Sequence, residues 1–110
     1  MTRLALALAL GLLMLPSVAM AEECIGPVRI TGYVRGHDSP WTADGTSVWS
    51  RENIAAAGYS VPMGAVIDVD GIGTYIVRDR GGLGAYNIDI LVDTVAEAYA
   101  ITSYRMVCIR

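Results

Sequence analysis

Lysine is absent from the 110-residue chain, and histidine occurs once, as His37. The first absence removes amine nucleophiles and Schiff-base chemistry from the side-chain repertoire. The second leaves no histidine pair for a metal, and no motif around His37 that would make a Ser-His-Asp set. Cysteine is scarce as well, at two residues, and the aspartates lack the spacing of a calcium loop. No metal and no cofactor is therefore expected. Long apolar runs are missing too: the stretch from Leu4 to Leu15 is stopped by Pro16 after 12 residues, where a spanning helix needs roughly 20. No internal repeat and no low-complexity segment is present.

The chain opens on Met1-Thr2-Arg3, runs apolar to Leu15, and leaves through Pro16-Ser17-Val18-Ala19-Met20-Ala21. A charged start, an apolar middle and an Ala-x-Ala exit are the parts of a secretory signal peptide, so residues 1–21 are expected to be cleaved after Ala21. Glu22-Glu23, and not cysteine, follow the cut, which argues against a lipid anchor. Residues 22–110 then form one small domain, exported to the periplasm or the cell exterior and expected to act as a monomer. A domain of this size has a small core. Cys24 and Cys108 lie near its two ends in a compartment that oxidises thiols, and they are expected to pair; free buried thiols or a bond between chains are the alternatives. With Arg3 removed, seven arginines face eleven acids, a net charge of 7 − 11 = −4, which argues against nucleic acid as a partner.

Val28 to Arg35 alternates apolar and polar residues with β-branched enrichment and reads as a first strand. Gly36 to Ser50 is a polar loop holding Trp41 and Trp49, which either lid the domain or meet a ligand. After the apolar Ile54–Ala57 and a turn at Ser60–Gly64, Ala65–Val69 and Thr74–Asp79 form a hairpin around Asp70-Gly71-Ile72-Gly73. Asp68 and Asp70 read as strand-edge and turn residues. Arg80–Gly84 connects to a further strand, Ile88–Val92. Thr94 and Glu97 fit a capping box for a short helix to about Ala100, with Asp93 at its start. Tyr104–Ile109 closes the chain as a last strand, bringing Cys108 back to the first.

What remains for chemistry is carboxylates. Asp79 ends a strand before Gly81-Gly82, and Asp89 sits between isoleucines in the next strand, where aspartate is disfavoured and costly to bury. Brought together, the two would raise one pKa, as a general acid requires. In the alternative, Asp79 pairs with Arg78 or Arg80 and Asp89 points to solvent.

Several segments in order carry a family resemblance: Thr31-Gly32-Tyr33, Thr42-Ala43-Asp44-Gly45-Thr46, Ile54-Ala55-Ala56 with Val61-Pro62-Met63-Gly64, Gly71-Ile72-Gly73-Thr74-Tyr75, Asp79-Arg80-Gly81-Gly82, and Ile88-Asp89-Ile90 with Glu97-Ala98. Over roughly Ile30 to Ile109 the chain resembles the 3D (Asp-Asp-Asp) domain family, related to the barrel of membrane-bound lytic transglycosylase A and to Sps-type cell-wall enzymes. The resemblance implies an all-β fold, a six-stranded double-psi β-barrel (RlpA-like) with one short helix and a groove for peptidoglycan glycan strands. It implies that Asp89 is the catalytic acid with Asp79 beside it, and it places Tyr33, Trp41, Thr42, Gly81 and Gly82 around the substrate. The chain departs from the pattern near Ala57, where a further family aspartate would fall, and lacks the basic residue often found between the two Asp motifs. The connection from Asp79 to Asp89 is also about one residue short.

The expected function is cleavage of glycosidic bonds in peptidoglycan by a lytic transglycosylase with a single catalytic aspartate. The alternative is a noncatalytic glycan-binding, wall-loosening barrel. A secreted protein-binding barrel is a third reading, but the aromatic residues and Asp89 suit sugar at least as well.

Overall fold

The computed structural model describes residues 22–81 and 84–110. The expected leader and the expected substrate contact Gly82 therefore lie outside the described residues. Six strands, β1 (Glu23–Val34), β2 (Ile54–Ala57), β3 (Val66–Val69), β4 (Gly73–Arg80), β5 (Ile88–Val92) and β6 (Ser103–Ile109), and one helix, α1 (Val95–Ile101), follow in chain order. The strands close a barrel in the order β1-β5-β2-β4-β3-β6, so no sheet edge is left open. Two pairs, β1 with β5 and β2 with β4, run parallel and the other four antiparallel. This mixed order is consistent with the double-psi arrangement that the resemblance implies.

The barrel interior is filled by the inward residues of alternating strands. Ile30, Ile88 and Ile90 are almost fully buried there, with Ala55, Ala57, Ile67, Val77 and Val107. Between Ile88 and Ile90, Asp89 necessarily turns to the outer face. The first strand starts at Glu23, earlier than its alternation suggests, because one long strand serves two neighbours. Glu23 to Ile30 pairs with β6, and Ile30 to Val34 with β5. Its register shifts between Ile25 and Val28, at Gly26-Pro27, a place where a residue without an N–H fits. The Ile54–Ala57 run shows no alternation because all four residues are buried. Its inward face meets the core, and its outer face lies under the loop that follows β1.

Thr94 caps α1, its hydroxyl accepting from the Glu97 N–H at 3.1 Å. Glu97 reaches back to the N–H of Asp93 at 3.0 Å and not to that of Thr94, so the box closes one residue early. Ala98 and Ile101 press α1 onto the barrel. Gly32 allows this approach: a Cβ there would stand 2.7 Å from Cα of Ala98. Asp68 lies in β3, bonded to Thr74 and Arg110, and Asp70 lies in the turn. Cys24 and Cys108 face each other across β1 and β6 and are joined in a disulfide. Among the described residues no helix is long and apolar enough to cross a membrane.

Candidate functional site

The outer face of the β1-β5-β2-β4 arc carries one cross-strand row of interest. Thr31 is opposite Asp89, Asp89 opposite Ala56, and Ala56 opposite Asp79. Two interstrand spacings of about 4.8 Å each separate the two aspartate backbones. Asp79 reaches this row through an irregularity. Val77 points into the core, so strict alternation would send Asp79 inward as well. Between Ala55 and Ala56 the register with β4 shifts, with Ala55 opposite Val77 but Ala56 opposite Asp79, leaving Arg78 as the extra residue. The bulge re-aims the strand, and Arg78 and Asp79 both leave the core.

The segment 36–50 folds over this face. Val48 packs with Ile54, Leu91 and Tyr33 into a small second cluster outside the barrel. Arg35 fastens the segment by donating to the Val48 carbonyl and to Asp93 at 2.8 Å, with its guanidinium 5.6 Å from the Trp49 ring centroid. Farther along, Asp44 accepts from Thr42, from both donors of Thr46 and from Arg78, which also pairs with Glu52 at 2.9 Å. Beneath the segment lies a cavity of about 180 Å³ whose walls include Tyr33, Trp41, Asp38, Asp79, Asp89 and Arg80.

The two aspartates are held differently. Asp79 accepts from the N–H groups of Ala43 and Arg80, both at 2.9 Å, and from the Tyr33 hydroxyl at 3.1 Å. Neither Arg78 nor Arg80 forms an ion pair with it among the described residues. Asp89, half-buried, accepts from the Thr31 hydroxyl at 3.0 Å. Burial raises its pKa above the ordinary carboxylate value; Thr31 opposes this, and the charges of Asp79 and Asp38 add to it. Burial also raises the Tyr33 phenol, reinforced by Asp79 and its hydrogen bond and by Asp89, so Tyr33 remains a proton donor to Asp79. The cavity thus joins a carboxyl whose pKa is raised by burial to a second carboxyl held by three donors.

Of the residues expected at a site, Asp79, Asp89, Tyr33, Trp41 and Gly81 line this cavity. Thr42 is buried at 6% exposure and its hydroxyl is engaged by Asp44 and Thr46, within the loop. Trp49 is exposed and meets Arg35 at the outer edge of the loop. Ala57, where a further aspartate was sought, points into the core; the residue between the two aspartates is Ala56. Asp38, Ser39, Ala56 and Leu91 line the cavity without having been singled out. The apolar Ile88-x-Ile90 frame could have pointed to Leu91 as an outward neighbour of Asp89, whereas Asp38 and Ser39 carry no periodic signal. Among the described residues, the one acid–thiol cluster with metal-like spacing is Glu22 with Cys24 and Cys108, whose sulfurs are bonded to each other. Comparison with family models, with curated proteins and with solved structures finds no match to this chain, so the site is read from its own geometry.

Proposed function

We propose that this is an exported 3D-type barrel that cleaves glycosidic bonds of peptidoglycan as a lytic transglycosylase, with Asp89 as its single catalytic residue. The observation that carries the reading is a half-buried Asp89, its pKa raised by burial and by the neighbouring Asp79, in a cavity flanked by Trp41 and Tyr33. In lytic cleavage the C1–O bond to the leaving sugar breaks as the proton of Asp89 passes to that oxygen. The 6-hydroxyl of the same muramyl residue then bonds to C1 and gives its proton to Asp89, restoring the acid and forming a 1,6-anhydro ring. One carboxyl suffices because no water has to be activated, unlike hydrolysis, which takes a pair. Asp79 faces the positive charge that develops on the sugar. The disulfide suits an oxidising compartment, in keeping with export.

The test is mass spectrometry of purified peptidoglycan after incubation with the protein, with 1,6-anhydro products expected. Asp89→Asn should lower their release by about 10²- to 10⁴-fold, the usual contribution of a positioned acid–base group, and Asp79→Asn by less. A noncatalytic glycan-binding barrel is favoured by Ala56, which puts only a methyl group between the two aspartates, and by the engagement of both Asp79 oxygens. Wild-type protein that sediments with peptidoglycan and releases no anhydro sugar would establish that reading instead.

A further inference from the structure

The cavity around the aspartates does not end at Arg80. A second hollow, of about 210 Å³, opens on the far side of the same residue and is lined by Ala57, Gly58, Tyr59, Arg80, Gly81 and Gly84. Arg80 and Gly81 belong to both walls. Among the described residues Arg80 is the only cationic side chain lining either hollow, against Asp38, Asp79 and Asp89 in the first. Arg35, Arg78 and Arg110 each meet a carboxylate, but Arg80 forms no ion pair among the described residues. Its Nη1 donates to the carbonyls of Gly58 at 2.8 Å and Ala57 at 3.3 Å. These bonds fix the guanidinium without neutralising it. Beside it Tyr59 is 79% exposed, an aromatic ring with no packing reason to stand at the rim.

We infer that Arg80 and Tyr59 form a second subsite, continuous with the first, that binds a carboxylate carried by the glycan while the Tyr59 ring receives a sugar face. The inference rests on the glycan reading above and adds to it what the strand must carry. A carboxylate-bearing polymer entering a cleft with three aspartates is repelled wherever its own charge falls near them. A fixed guanidinium one residue beyond Asp79 sets the place where that charge is accepted, through charge-assisted hydrogen bonds. The register of the strand over Asp89 follows from where its carboxylate is held. That carboxylate comes either from the sugar's own lactyl group or from an attached peptide.

The experiment measures binding of soluble glycan strands, with and without attached peptides, each with free carboxylates and after chemical amidation. Wild-type protein should bind free-carboxylate strands about tenfold or more tightly than amidated ones, the scale of one charge-assisted bond. Arg80→Gln should lose this preference, and a far-UV circular dichroism spectrum and cooperative melt like those of the wild type show that it is folded. Arg80→Lys should retain part of the preference. A preference seen on peptide-free strands assigns the lactyl carboxylate, and one confined to peptide-bearing strands assigns the peptide. Equal wild-type binding of free and amidated strands, or a preference that survives in Arg80→Gln, overturns the subsite while leaving the glycan reading standing. Wild-type protein that binds no strand and releases no anhydro sugar overturns both.

Discussion

Asp89 is the residue at which folding and the proposed chemistry pull in opposite directions. It is the second residue of a five-residue strand whose other members are all buried, and its own carboxyl is desolvated and faces two further negative charges. The folded state therefore holds the Asp89 proton more tightly than the unfolded chain does. A group whose pKa is raised by folding favours the native state while protonated. Its contribution is present below the unfolded value of about 3.9 and is lost as pH rises through the higher folded value. Asp89→Asn removes this pH dependence. The variant should melt at or above the wild-type temperature at neutral pH, and the gap should narrow as the solution is acidified into the carboxylate range. Thermal melts across that range check it, and a variant less stable than wild type at neutral pH contradicts the assignment. Combined with lost glycan cleavage, the result would mark Asp89 as a residue retained against stability.

At the scale of elements, the close contact between α1 and β1 is the sharpest sensitivity. Gly32 has room for no side chain beneath Ala98, and Gly32→Ala should cost about 1 to 3 kcal/mol by overpacking, measured by urea denaturation. Its neighbours Thr31 and Tyr33 reach the two aspartates, so, on the proposed reading of the site, any shift of β1 should appear in cleavage as well as in stability. Elements with a local signature were legible in the sequence. The alternation around Ile88-Asp89-Ile90, the hairpin at Asp70–Gly73 and the Thr94 cap each depend on residues a few positions apart. The features that build the site do not. The bulge at Arg78 is a relation between β4 and β2, set by Ala56 meeting Asp79 across the sheet. The early start of β1 depends on β6, which lies at the other end of the chain. The loop 36–50 was legible as a loop, but Asp38 enters the cavity because Arg35 and Val48 fold the segment back, and no spacing announces that. Nor could spacing decide between the two arrangements open to Asp79: backbone N–H groups and Tyr33 hold it, while the neighbouring arginines look elsewhere.

For the whole molecule, closure of the barrel brings the two terminal strands side by side, and the disulfide joins them at a sequence separation of 84. Reduction, or the double variant Cys24→Ala with Cys108→Ala, should lower stability by about 4 to 5 kcal/mol in the chain-entropy account of so long a loop. Denaturant titration of oxidised and reduced protein reads this directly, and midpoints that coincide would contradict it. The same bond has a mechanical consequence. A pull on the residues flanking Cys24 and Cys108 passes through the sulfur bridge and leaves every strand between them unloaded. Oxidised protein stretched from its ends should show no unfolding step from the barrel, whereas reduced protein should release about 290 Å of chain, at roughly 3.4 Å per residue over the 84-residue separation. A domain built this way can be pulled from both ends and still keep its cleft at rest.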